Sequence, residues 1–375
     1  MDSNSRIKLF LQNNSSRLEH IRSKSSGKIF FYMNRSLNRL CREYDNASTP
    51  EEKLAACTAV LNSFEESLAW RMRMLCICLG QDVEVFIKQL GRRKTIDKSD
   101  KSAGDYYSVA VILKNEARYI REFVLFYQAT GADRIYIYDN DSTDSLLEEL
   151  RPFIDSGLVV YRSWPGRNVQ TAAYRDVIRR TKGRTKWLAV IDSDEYLFSP
   201  RGSMPDQLKA YEQYPGVGAN WVHFGPNGHD KRPKGLIMDN YTTALTNEGP
   251  VNNCHIKSIV QPKEVSFMVH THYPYYRCGR YAVDEDGEKI DNRNSYSTGG
   301  GRAFTEVNHR EIFRINHYNT RSLEDLREKC ERGFADGSPN TIYKKALEPF
   351  ESGVTEDKVI KPYADIVREQ YNQKI

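Results

Sequence analysis

The chain has 375 residues, of which 39% are hydrophobic and 28% charged, enough apolar material for one large α/β domain plus an appendage and too much for wholesale disorder. Its net charge of +5 is carried by residues 1 to 50, where nine Lys/Arg face four Asp/Glu, while the rest is balanced. That placement argues against a nucleic-acid-binding face on the main domain and leaves a basic N-terminal arm suited to an anionic membrane.

Seven cysteines, at 41, 57, 76, 78, 254, 278 and 330, form no Cys-x-x-Cys pair, which argues against a disulfide framework or a zinc site and for a reducing compartment. No run approaches the roughly 18 apolar residues of a spanning helix, and the first residues lack an apolar signal core. The expectation is a cytoplasmic protein, membrane-associated at most through its arm.

Residues 1 to about 90 read as helical. Thr49-Pro50-Glu51-Glu52 is a helix start, with proline in the first turn and acids facing the dipole. Leu54, Cys57, Leu61, Phe64 and Leu68 follow at helical spacing, continued by Met72, Leu75 and Leu79; the stripe reads as a core-facing face. Residues 91–105 are polar and aperiodic, as in a linker. This divides the chain into a helical region with linker (1–105), an α/β domain (106–340) and a C-terminal helical tail (341–375).

From Tyr106 strands and helices alternate. Residues 108–113 read as a buried parallel strand. Ile120, Phe123, Val124 and Tyr127 mark a helix that Gly131 can close. Residues 134–138 form the second strand, and Asp144 caps a helix carrying Leu146, Leu147 and Leu150. Residues 158–161 form the third strand, 169–181 a helix, and 187–191 the fourth strand. Single-helix crossovers imply a mainly parallel sheet whose ligands bind at the carboxyl ends of its strands. Further on, 216–224 reads as a strand entering Gly225-Pro226-Asn227-Gly228, 284–302 as a polar loop with a glycine run, and 312–318 as a late strand. Ser322 with Asp325 then caps a helix.

Ile191-Asp192-Ser193-Asp194-Glu195 puts three acids in four positions at the end of the fourth strand. Carboxylates there can hold Mg²⁺ or Mn²⁺, which fills its remaining positions with diphosphate oxygens and water and offsets charge on a leaving diphosphate. Lys114-Asn115-Glu116 and Asp139-Asn140-Asp141-Ser142-Thr143-Asp144 follow the first two strands on the same edge. Short acceptors there can read a base and a ribose, although the second segment is equally ordinary turn-and-cap chemistry.

These segments, together with Asn220-Trp221, Gly228-His229, Lys257-Ser258-Ile259-Val260, Ile315-Asn316-His317-Tyr318 and Arg321-Ser322, resemble the inverting glycosyltransferases of the GT-A fold. More narrowly they are similar to glycosyltransferase family 92 and its bacterial family-2-like relatives, over roughly residues 106–335. The resemblance implies a nucleotide-diphosphate-sugar donor, foremost a UDP-sugar, Mn²⁺ or Mg²⁺ as cofactor, and a glycan or lipid-linked glycan acceptor. It places Asn115, Glu116 and Asp139 around the nucleoside, Asp192 at the ribose or the metal, and Asp194 and His317 at the metal. One departure is that relatives carry Gly-Ser-Ser-Gly-His where this chain has Gly225-Pro226-Asn227-Gly228-His229, which bears on the acceptor.

Inverting transfer needs a base for the acceptor hydroxyl. His229 and Asp230 rank first because the glycine turn can present them to a cleft, ahead of Asp239 and Glu248. Lys329, Arg332 and Arg175 are candidates for diphosphate contact, and Glu195 for supporting the acidic loop. Two rivals remain open at this point. A nucleotidyltransferase would favour a glycine-rich basic loop after the first strand, and a non-catalytic nucleotide- or sugar-binding module would need no intact acidic site.

Overall fold

The structure is a computed structural model that describes residues 104–166, 169–246, 254–268, 270–277, 280–290, 303–305, 307–332, 347, 350 and 353–372. The expected N-terminal helices, the basic arm, Glu248 and the glycine run at 299–301 lie outside the described residues. The chain divides into two compact units. The described part of one is a hairpin of β9 (Val265–Met268) and β10 (Pro274–Tyr276), with an Arg280–Glu264 ion pair of 2.7 Å. The other unit carries everything below.

Its centre is an eight-stranded sheet in the order β3-β2-β1-β4-β8-β6-β11-β5. The strands are β1 (Asp105–Leu113), β2 (Arg134–Asp139), β3 (Val159–Ser163), β4 (Thr185–Ile191), β5 (Glu195–Phe198), β6 (Gly216–His223), β8 (Ile256–Val260) and β11 (Arg314–His317). β1 to β4 pair in parallel, β8 runs antiparallel to both β4 and β6, β11 runs parallel to β6, and β5 closes the edge antiparallel. The sheet is therefore mainly parallel, as the strand–helix alternation predicts. The chain leaves β1 outward to β2 and β3, then returns to β1's other side as β4. That reversal is a topological switch point, and it opens a crevice at the carboxyl ends of β1 and β4.

Helices cover the sheet for the reason their spacing gives. On α1 (Ala117–Ala129) Ile120, Phe123, Val124 and Tyr127 share the buried face. Gly131 ends the segment with φ of +96°, where an added Cβ would lie 2.8 Å from the Pro205 ring. The crossovers use α2 (Leu146–Asp155) and α3 (Gln170–Thr181). Shorter helices α4 (Met204–Leu208) and α5 (Ile237–Asn240) follow, and α6 (Leu323–Arg332) comes after β11. β7 (Thr243–Leu245) pairs with β12 (Val354–Glu356), and α7 (Lys361–Asn372) puts Tyr363, Ala364 and Val367 into the same core as α1.

Candidate active site

Because β1, β2, β4, β6 and β11 point the same way, Leu113, Asp139, Ile191, His223 and His317 end at one edge of the sheet. The acidic turn Asp192-Ser193-Asp194 leaves β4 there and re-enters the sheet at once as β5, so its two acids are held between strands and the third, Glu195, begins β5.

Asp194 is buried, and its carboxylate lies between two basic groups: Lys329 Nζ donates to Oδ2 at 2.5 Å, and His317 Nε2 stands 3.6 Å from Oδ1. Burial alone would raise its pKa, but Lys329, with His317 and Arg321, holds it well below the usual carboxylate range. Asp194 and His317 are separated by 123 positions and meet because β11 pairs with β5, His317 lying opposite Glu195. The Nδ1 of His317 is buried without a hydrogen-bond partner among the described residues. Its ring packs 4.3 Å from Trp221, which is also flanked by His255, His272 and His223.

Asp192 is held differently. Oδ1 accepts from Gln170 Nε2 (2.6 Å) and the Tyr174 hydroxyl (2.9 Å), and Oδ2 accepts from Lys257 Nζ (2.7 Å). Lys257 is fully buried; burial opposes its charge, but Asp192 and Glu195 outweigh that and raise its pKa. Glu195, also fully buried, accepts the Asp192 backbone N–H at 2.8 Å. Its burial pushes the carboxyl pKa up despite Lys257.

Glu116 is buried and bonds Arg321 Nη1 at 2.7 Å. Arg321 also donates to the Ser193 carbonyl at 3.3 Å and lies 4.3 Å over the Tyr119 ring. It adopts φ of 48°, a left-handed turn between β11 and α6 that aims the guanidinium back under the acidic loop. Asp139 accepts the Tyr161 hydroxyl (2.6 Å) and the Ser142 N–H (2.9 Å). Asn115, exposed and with φ of 56°, ties the first loop to the second by accepting from Thr143 N–H at 2.8 Å. The N-cap of α2 is Ser145, one position after the expected Asp144, and it has no side-chain cap bond; Asp144 instead accepts from the N–H groups of Leu146 (3.3 Å) and Ala117 (2.8 Å), tying the second loop to the start of α1. Arg175 is half-buried on α3, and Arg332 ends α6.

His229 follows a tight turn in which Asn227 and Gly228 both have positive φ, 53° and 78°, and its N–H bonds the Pro226 carbonyl at 2.9 Å. Its Nε2 lies 3.2 Å from the Asn240 carbonyl. A carbonyl only accepts, so Nε2 donates, and in the neutral imidazole the lone pair lies on Nδ1. Asp230 is exposed, and its carbonyl accepts the Glu324 N–H at 3.0 Å. Asp239 is exposed and paired with Arg368 at 2.5 Å.

The residues that the sequence reading gave no role are Lys257, Arg321, Gln170, Tyr174 and Trp221. A signal existed for Lys257, a lone lysine inside the apolar run Ile256 to Val260 and so an expected partner of a buried acid. For Arg321 the signal was the segment Arg321-Ser322 among those that carry the resemblance, with no role attached, since its reach depends on its backbone turn.

Fold and site define an α/β protein with a carboxylate-rich centre at its sheet's switch point. The sequence profile of glycosyltransferase family 92 matches residues 107–366, more than half of the chain, and the chain belongs to that family. Its principal domain is an α/β domain built on the mainly parallel sheet. A glycosyltransferase family 92 protein of Oryza sativa subsp. japonica is 34% identical over 159 residues, 41% of this chain and 26% of the relative. One of Ricinus communis is 26% identical over 197 residues, 50% of this chain and 35% of the relative. The chain thus matches only a quarter to about a third of the length of these curated relatives. Among solved structures, S. aureus TarS 1-349 in complex with UDP-GlcNAc is similar at 10% identity and a TM-score of 0.34, covering 71% of this chain and 72% of that one.

Proposed function

We propose that the protein transfers a sugar from a nucleotide-diphosphate-sugar donor, foremost a UDP-sugar, to a hydroxyl of a glycan or lipid-linked glycan acceptor. The observation that carries this reading is the position of Asp194. It is a buried carboxylate at the carboxyl end of β4, beside the β1 and β2 loops, facing His317 at 3.6 Å in a family 92 chain. In this reading Asp139, Asn115 and Glu116 line the nucleoside side and Lys329 meets the diphosphate.

The donor set fits a hard divalent cation. Two adjacent ligands on one octahedral ion at about 2.1 Å stand roughly 3 Å apart; Asp194 Oδ1 and His317 Nε2 are 3.6 Å apart, so a shift of roughly half an ångström would let them bind one ion. Among the described residues no group of three or more His, Cys, Asp or Glu is placed to hold a metal alone, so the shell would be completed by diphosphate oxygens and water. An imidazole ligand favours Mn²⁺ over Mg²⁺. When bound, the cation offsets charge on the leaving diphosphate. Asp192, bonded through both oxygens, fits a ribose contact or an orienting part better than a metal ligand. For inversion, Nδ1 of His229 is the better-placed base and Asp230 the alternative.

Donor turnover assayed with a panel of nucleotide-sugars, with Mn²⁺ added and after EDTA, tests the reading. Turnover of one donor that EDTA suppresses at least tenfold supports it; turnover unaffected by EDTA removes the metal, and no turnover of any donor removes the transferase. The excess of basic residues in 1–50 motivates a salt-sensitive contact of a cytoplasmic protein with anionic membranes, each exposed Lys or Arg near such a surface contributing about 1 kcal/mol. Flotation with anionic liposomes at low and high salt checks it, and absence of binding at low salt removes the proposal.

A further inference from the structure

Each carboxylate around the acidic turn already has a cation. Glu116 pairs with Arg321 (2.7 Å), Asp192 with Lys257 (2.7 Å) and Asp194 with Lys329 (2.5 Å). Glu195 shares Lys257 with Asp192, at 3.6 Å, so four carboxylates face three cations, and a bare divalent ion must still compete with an ammonium for Asp194 itself. A divalent ion carried by a nucleoside diphosphate meets a different balance, since the diphosphate brings its own anionic oxygens for the displaced ammonium to bind.

The three cations differ in their freedom to move. The Lys257 side chain is 1% exposed and that of Arg321 8%, whereas that of Lys329 is 25% exposed. Lys329 rides on a fixed helix. The start of α6 is closed by the Ser322–Asp325 cap, Asp325 Oδ1 accepts from Arg232 (2.6 Å) and from the Tyr119 hydroxyl (2.8 Å), and Arg232 N–H bonds Glu324 (2.9 Å). The backbone under Lys329 is thereby held, while its side chain is a flexible four-carbon stem that carries the ammonium to Asp194 Oδ2. It also donates to the Asn319 carbonyl at 3.1 Å.

We propose that Lys329 holds the cation position on Asp194 in the donor-free protein and gives it up only to a divalent ion that arrives with a diphosphate, toward which the ammonium then turns. Lys329 is thus a positioning residue that makes metal binding contingent on nucleotide. The proposal rests on the metal-dependent reading above. It goes beyond that reading by fixing the order of binding.

Calorimetric titration of Mn²⁺ into wild type, Lys329→Met and Lys329→Arg, each with and without UDP and corrected for the Mn²⁺–UDP complex in solution, tests it. Wild type should bind Mn²⁺ alone roughly tenfold or more weakly than with UDP, a coupling of ordinary size. Lys329→Met should bind Mn²⁺ alone about tenfold more tightly than wild type and lose most of the UDP dependence, and Lys329→Arg should retain it. Thermal melting confirms that each variant is folded, and the wild-type dependence on UDP is readable without any variant. Mn²⁺ binding by Lys329→Met alone that is no tighter than wild type overturns the gate while leaving the metal in place. No Mn²⁺ binding by any of the proteins even with UDP overturns the metal reading, and the gate with it.

Discussion

Asp194 concentrates the site's electrostatics in one carboxyl group. Its pKa is held below the usual range by Lys329, His317 and Arg321 against the opposing effect of burial. A carboxylate depressed in the folded state stabilises the protein above its unfolded pKa, near 4, and that contribution is lost as pH falls through the folded value. Asp194→Asn should therefore flatten the acid limb of the melting curve between pH 6 and pH 3. Its cost at neutral pH should be about 1–3 kcal/mol, below the range for a wholly buried pair because Lys329 can rehydrate. Turnover should fall at least 100-fold, since the group would face the leaving diphosphate. A variant with wild-type turnover would remove Asp194 from the chemistry, and an unchanged acid limb would mean that Lys329 does not hold it. At this scale the sequence showed the acids and not their partners. Asp192, Asp194 and Glu195 announce themselves as three charges after an apolar run, and Lys257 shows as a lone charge within one, whereas Arg321 and Tyr174 reach the turn from other elements through pairings invisible to local pattern.

Glu122 on α1 joins two elements that the sequence reading left unconnected. Although charged, it lies on the buried face of that helix, and its Oε2 and Oε1 accept the N–H groups of Ile237 (2.8 Å) and Met238 (3.2 Å) at the start of α5. Those N–H groups have no partner within so short a helix, so a carboxylate supplied from α1 satisfies them. Burial nevertheless dominates and pushes its pKa up to about 7, against the lowering effect of the two backbone bonds and Arg321; Asp239 adds to the rise. A carboxyl raised in the folded state gives stability that is full below its unfolded pKa and lost as pH rises through the folded one. Melting temperature should thus decline between pH 5 and pH 7.5, and Glu122→Gln, which keeps an acceptor without the charge, should remove that slope. The same slope in both proteins would assign it elsewhere. Legibility follows the same division among elements. β1 to β4 and their crossover helices could be read because each combines an apolar run with a nearby turn, and Ser322 with Asp325 forms the expected cap, Asp325 N–H bonding Ser322 Oγ at 3.1 Å. β5, β7 and β12 are three or four residues long and paired across long separations, so no periodicity distinguishes them from loop.

At the scale of the whole molecule, the closing helix is part of the core that carries the site. Tyr363 on α7 places its ring 5.8 Å from Phe126 of α1 and 5.5 Å from Phe198 of β5. Its hydroxyl donates to the carbonyls of Gly202 (2.7 Å) and Ser199 (3.1 Å) just beyond β5. β5 in turn is the strand that begins at Glu195 and pairs with β11, so the packing under Phe198 supports the register that brings His317 to Asp194. Arg314, at the other end of β11, bonds Asp357 at 2.6 Å, a second tie from the same sheet edge to the segment leading into α7. Nothing local in the sequence announces this, because the tyrosine and its two aromatic neighbours are separated by more than 160 positions. Tyr363→Ala should cost about 3–5 kcal/mol, the range for deleting a buried aromatic ring, read as a lower denaturation midpoint with an unchanged slope. Tyr363→Phe keeps the ring and loses only the hydroxyl's bonds, for about 1–2 kcal/mol. If α7 merely decorated the surface, both variants would melt within roughly 0.5 kcal/mol of wild type. If it supports the β5–β11 register, Tyr363→Ala should also weaken UDP-dependent Mn²⁺ binding at temperatures where the variant is still folded, because His317 reaches Asp194 only through that pairing.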